Sequence, residues 1–219
     1  MATGNNTVRA VIAGGALLVL GVSVWGVSAC EQGGLSQPDG SGKNNAPAEV
    51  KKETVSIGGR TFKLELAADA KSRFKGLSGR EEIAADGGML FVFPNPQPRL
   101  YFVMRDCPIP IDIIFLDGTG RIVAMHAMVP EPPRTEVEKA LAPARPDQPE
   151  WEWTNADYES RLKKYPSRHD AQFVIEIKGG LLEELKLEEG QRINIDTRRL
   201  SRVAREANER DRQQLTPRR

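Results

Sequence analysis

Ile111-Asp112-Ile113-Ile114-Phe115-Leu116, then Asp117-Gly118-Thr119-Gly120, then Arg121-Ile122-Val123-Ala124-Met125-His126-Ala127-Met128 is the stretch that decides the fold class. Two apolar runs rich in β-branched residues flank a turn of Asp and Gly, which is the pattern of neighbouring strands. Both are shorter than the roughly 10–12 residues expected of a buried helix. The surrounding sequence repeats the theme. Val55 and Ile57, then Phe62, Leu64 and Leu66, alternate with polar residues around Gly58-Gly59 and predict a hairpin. Asp69 is placed to cap a short helix over 70–75, with Gly76 free to take the left-handed exit. Gly87-Gly88 leads into a strand over 89–93 that Pro94, Pro96 and Pro98 stop, and 100–104 predicts another.

Downstream, 129–152 is rich in Pro and Glu and reads as a long surface excursion. Thr154 with Asp157 resembles a capping box, and Tyr158 and Leu162 then share a helical face. Phe173-Val174-Ile175-Glu176-Ile177 returns as a strand, 180–185 makes a short amphipathic helix, and 190–195 supplies a closing strand. The expected architecture is α+β: a small, mixed, highly curved or barrel-like β-sheet with two or three short helices.

The 219 residues divide into a globular body over 53–197 and appendages. Residues 1–29 hold Arg9, an apolar run and the ending Val27-Ser28-Ala29-Cys30, which resembles a lipoprotein signal peptide. Cys30 would be acylated, with palmitate-type chains, and two or three such chains hold a protein far more firmly than one. A membrane-spanning helix is the competing reading of the same run. Either reading exports the body to the cell envelope. The chain would face the periplasm or exterior, attached to the inner or outer membrane. Residues 30–52, rich in Gly, Ser, Asn and Pro, form a flexible tether.

The chain carries 31 basic and 30 acidic residues, and losing residues 1–29 removes Arg9 and no acid. The balance offers no general basic field, so no nucleic-acid partner is expected. The tail over 198–219 is locally basic, with eight Arg and apolar Leu200, Val203 and Ala207 at helical spacing, and reads as a weakly helical, solvated segment. Two Cys cannot build a disulfide framework or a four-thiolate zinc site.

Four ordered blocks carry a family resemblance. They are 73–80 (Arg-Phe-Lys-Gly-Leu-Ser-Gly-Arg), 88–93, 102–106 and 109–115. They resemble the motifs of the domain of unknown function 192 family, and 173–195 is similar to that family's closing strand, helix and strand. Ser78 stands where Met is usual, Val103 where Trp is usual, and Asp106 and Cys107 where Asn and Thr are usual. The resemblance implies a small mixed barrel-like domain, commonly exported, and brings no activity with it.

Among candidate chemical groups, Asp112 is the most informative. A carboxylate between Ile111 and Ile113 must be paired, hydrogen-bonded or protonated if it is buried. Arg73, Arg80 and Arg105 are its candidate partners. Trp151 and Trp153 can stack on a sugar or partner, or pack back as a lid. His126, Asp112 and Cys107 lack the local spacing of a metal site, and His169 stands alone, so no metal and no cofactor is expected. Cys107 reads as a core residue rather than a nucleophile.

Two functions follow as expectations. The first is a non-catalytic, lipid-anchored binding or accessory module for a glycan, small molecule or envelope protein, using Arg73, Arg80, Asp112, Trp151 and Trp153. The alternative is an envelope hydrolase with Asp112 as general acid or base and Arg73 or Arg80 stabilising an oxyanion.

Overall fold

The structure is a computed structural model, and it describes residues 51–215. The expected signal segment, Cys30 and nearly all of the tether lie outside the described residues. The predicted hairpin forms from β1 (Lys52–Ile57) and β2 (Arg60–Ala67). Asp69 caps α1 (Ala70–Lys75) by accepting the Ser72 N–H at 2.8 Å, and Gly76 leaves the helix at φ +51°. This helix carries the chain across to β3 (Gly87–Gln97), which runs parallel to β2. The strand continues past Pro94 and Pro96, where the pairing with its neighbour shifts between Val92 and Gln97. The 100–104 strand is reduced to β4 (Tyr101–Phe102). β5 (Ile111–Leu116) and β6 (Ile122–Met128) pair antiparallel across the Asp117 turn.

In the excursion α2 (Ala156–Arg161) is capped by Asn155, one residue later than the Thr154 pattern suggests, through a 3.0 Å bond from the Tyr158 N–H. After β7 (Tyr165–Pro166), which pairs with β4, the chain enters β8 (Ala171–Lys178) and then α3 (Leu181–Leu185). The 190–195 segment is not a strand and contributes an isolated bridge, Arg121 with Arg192.

The main sheet has the order β1-β2-β3-β8-β5-β6. It is mixed and open, with β1 and β6 as its edges, so the barrel expectation is corrected. The last strand, β8, inserts at the centre between β3 and β5, and separate elements cover each face of the sheet. Closure is therefore not needed to bury the apolar surface. One face buries Phe62, Leu64, Leu90, Ile114, Phe173 and Ile175 beneath α3 and α4 (Thr197–Leu215). The other buries Phe91, Ile113, Phe115 and Val174, together with Met104, Cys107 and Tyr165.

The C-terminal segment is also corrected. Instead of a weakly helical, solvated tail, α4 packs on the sheet with Leu200, Ala204 and Ala207 buried. Its apolar stripe meets an apolar sheet face, and a narrow stripe suffices when the partner surface is flat and greasy. Arg199 adds a bidentate pair to Glu53 at 3.0 and 2.6 Å.

The excursion is tied to the body by a charged latch. Tyr158, 1% exposed, has the Arg134 and Arg161 guanidinium groups over its ring, 3.8 and 4.7 Å from the ring centre. Its hydroxyl oxygen accepts the Asp106 N–H at 2.9 Å. Arg134 grips the Asp106 carboxylate through two bonds of 2.7 and 2.9 Å, and Arg161 grips Glu138 at 2.7 and 3.1 Å. Arg161 holds the Glu138 carboxyl down to about 2.

Candidate functional site

Glu176 is the group around which the site is built. It lies in the central strand β8, with apolar Met89 of β3 and Ile113 of β5 opposite it in register. Gly88 at φ +150° lets β3 come close here. A Cβ at that position would stand 2.2 Å from the Glu176 carbonyl oxygen, so only glycine fits. Glu176 is 5% exposed, and none of the described residues donates a hydrogen bond to its carboxyl. Burial alone pushes that carboxyl up to about 8, which favours the protonated form at neutral pH.

The carboxyl borders a cavity of about 330 Å³. Phe74, Phe91, Phe93 and Phe102 give it an aromatic wall, and Leu77 and Val103 extend it. The wall is preorganised: Phe91 and Phe102 meet edge to face at 4.9 Å, and Phe102 packs on Phe115 at 5.7 Å. Cys107 shares the lining, and burial pushes its thiol up to about 12. It is therefore no nucleophile at neutral pH. Arg73, Lys75, Arg105 and Glu152 supply charge to the same cavity.

A second cleft of about 350 Å³ shares Phe74, Lys75, Ser78 and Arg105 with the first. Trp151 and Trp153 line it with Leu141. Trp151 meets Phe74 edge to face at 5.8 Å, and the Trp153 indole N–H donates to the Gln148 carbonyl at 3.1 Å. Trp151 thus packs back on the body, Trp153 is held within the excursion, and both border a concave surface.

The remaining sequence candidates are dispersed. Asp112 is buried at 1% exposure, but on the opposite face of the sheet from Glu176, because it is Ile113 that pairs with Glu176. Its Oδ2 accepts the Leu182 N–H at 2.7 Å at the start of α3. Burial raises its pKa, opposed by the N–H groups of Leu182, Leu181 and Gly180. No arginine among the described residues pairs with it. Arg73 donates to the carbonyls of Ala68 and Val92 and to Asn208, and lies over the Phe93 ring. Arg80 pairs with Glu65 at 2.5 Å, and Arg105 holds Glu159 at 2.5 and 2.8 Å. The Asp112, Arg73 and Arg80 grouping is therefore not assembled. His126 bonds the Pro166 carbonyl through Nε2 at 2.8 Å, and His169 is exposed. Among the described residues no three His, Cys, Asp or Glu side chains gather as a metal-holding group.

Sequence reasoning passed over Glu176. The signal was present, since a lone acid inside Phe173-Val174-Ile175-Glu176-Ile177 invites the same question that was asked of Asp112.

Comparisons with known proteins bear on the family and the fold and add no activity. The profile of DUF192, an uncharacterized ACR family, matches residues 53–195. A proposed transcription regulator from Sinorhizobium meliloti is similar in structure at 26% identity and TM-score 0.49, covering 66% of this chain and 94% of its own. A protein of unknown function from Novosphingobium aromaticivorans is similar at 24% identity and TM-score 0.50, covering 68% of this chain and 90% of its own. The latter supports the fold. No curated protein matches the chain.

Proposed function

The chain belongs to the DUF192 family, and from that premise we propose that it is a lipid-anchored, non-catalytic binding module of the cell envelope, with its ligand seated in the cavity beside Glu176. One observation carries this reading: a carboxyl that is nine-tenths buried, lacks a donor among the described residues and borders an aromatic cavity. Ligand sites are typically apolar concavities of roughly 300–1,000 Å³ with a few placed polar groups, and the cavity has that size and make-up. The hydrolase alternative loses its support, because Asp112 caps α3 while Arg73 and Arg80 are engaged elsewhere.

Val103 lines the cavity, and a tryptophan there would occupy much of the space. The neutral dye N-phenyl-1-naphthylamine serves as probe. Wild type is expected to bind it saturably, and Val103→Trp to bind it at least tenfold more weakly with an unchanged melting temperature. Equal binding by both proteins would overturn the cavity reading.

The anchor rests on Val27-Ser28-Ala29-Cys30 following an apolar run. Expressed in a bacterium fed an alkyne-tagged palmitate analogue, the protein is expected to take up label, and Cys30→Ser to take up none. Label retained by Cys30→Ser, or absent from wild type, would contradict the anchor.

A further inference from the structure

We propose that Glu176 is the recognition group of this cavity, donating a hydrogen bond to the carbonyl or ether oxygen of an uncharged ligand with an aromatic or apolar body. This rests on the binding reading above and adds the chemical class of the ligand.

Apolar side chains flank the carboxyl. The strands on either side present Met89 and Ile113, and Val174 lies two residues away on the same face. None of these can donate to a carboxylate, so the ion is strongly disfavoured and the acid keeps its proton. A protonated carboxyl offers one O–H, and that donor has no acceptor among the described residues. No fully buried side-chain oxygen lacks a partner among the described residues, so the unpartnered carboxyl reaches the open space of the cavity, and a ligand that brings an acceptor is favoured there.

The other charged and titratable groups of the lining argue against a cationic ligand, and two of the three lining cations are already engaged. Arg73, Lys75 and Arg105 outnumber Glu152, and with Glu176 neutral they repel an ammonium group. Arg73 is committed to backbone carbonyls and Asn208, and Arg105 to Glu159. An anion beside Glu176 would therefore sit against the un-ionised Cys107 thiol and phenyl rings, with Lys75 as the lining cation not engaged in an ion pair among the described residues. Tyr101, half exposed, borders the cavity on the solvent side. The four phenylalanine rings suit a flat apolar body.

Acetophenone, benzylamine and benzoate carry the same ring as an uncharged acceptor, a cation and an anion, and serve as matched probes. Binding is followed by chemical-shift changes of the cavity residues in wild type, Glu176→Gln and Glu176→Leu at pH 6 and pH 9. With a midpoint near 8, about one Glu176 in ten remains protonated at pH 9. Acetophenone is expected to bind wild type most tightly at pH 6 and about tenfold more weakly at pH 9. Glu176→Gln, which keeps a donor, is expected to bind within about threefold of wild type at pH 6 and to show no pH dependence. Glu176→Leu is expected to lose at least tenfold.

Tighter binding of benzylamine or benzoate, or acetophenone binding unaffected by Glu176→Leu, overturns the donor assignment and leaves the cavity reading standing. Absence of any shift with all three probes at millimolar concentration overturns both.

Discussion

Stability of the folded domain is expected to fall as pH rises from about 4.5 to about 8, and Glu176→Gln is expected to remove most of Glu176's share of that fall. The sign follows from proton binding. In the unfolded chain a glutamate titrates near 4.3, whereas in the folded domain burial holds Glu176 at about 8. Between those values the folded state binds the extra proton, so each rise in pH favours unfolding. The stabilisation is complete below the unfolded value, is lost through the window and is gone above about 8. Full ionisation corresponds to roughly 4–5 kcal/mol, an upper limit because water entering the cavity would screen the ion.

Asp112 is raised and adds a slope of the same sign, whereas Asp69, Asp106, Asp117 and Glu138 are lowered and stabilise at higher pH. These groups are common to both proteins, so the difference between wild type and Glu176→Gln isolates the one carboxyl. Urea unfolding at pH 5, 7 and 9 is expected to show Glu176→Gln gaining several kcal/mol on wild type across the range. Parallel curves would show that Glu176 titrates normally.

Tyr158→Ala is expected to cost about 3–5 kcal/mol, the usual range for deleting a fully buried aromatic ring. The ring contacts two guanidinium groups and its oxygen accepts the Asp106 N–H, so its removal opens a cavity and strands a backbone donor. Tyr158→Phe keeps the ring and loses only the acceptor, so about 1–3 kcal/mol is expected. Hydrogen exchange locates the loss: amides of α2 and of the Arg134 to Glu138 segment are expected to exchange faster in Tyr158→Ala than in Tyr158→Phe. Unchanged protection of that segment in Tyr158→Ala would show that the latch does not hold the excursion.

Local rules account for much of what the sequence revealed. The Gly58-Gly59 hairpin, the Asp69 cap and the pairing of β5 with β6 each depend on residues close together in the chain, and each is seen in the structure. Sheet order is a different matter. Whether β1 meets β6 depends on where β8 inserts, and no short-range pattern in Phe173 to Ile177 encodes that position. The same limit explains α4, whose three buried apolar residues look too few until a sheet face is placed beneath them.

The site was legible in part. A lone acid in an apolar strand must be hydrogen-bonded or protonated: Asp112 is bonded at the start of α3, whereas burial favours the protonated form of Glu176. What no sequence pattern could separate is the face of the sheet on which each acid lies relative to a helix N-terminus or an open cavity. Arg73, Arg80 and Asp112 illustrate this, since proximity in the motif blocks did not bring their charged ends together.

The most direct test is to follow the Glu176 side-chain carboxyl carbon by ¹³C NMR in selectively labelled protein from pH 4 to pH 10, using Glu176→Gln to assign the signal. A midpoint near 8 is predicted. A midpoint near 4.5 would mean that the carboxyl is ionised at neutral pH, contradicting the un-ionised donor on which this account of the cavity depends.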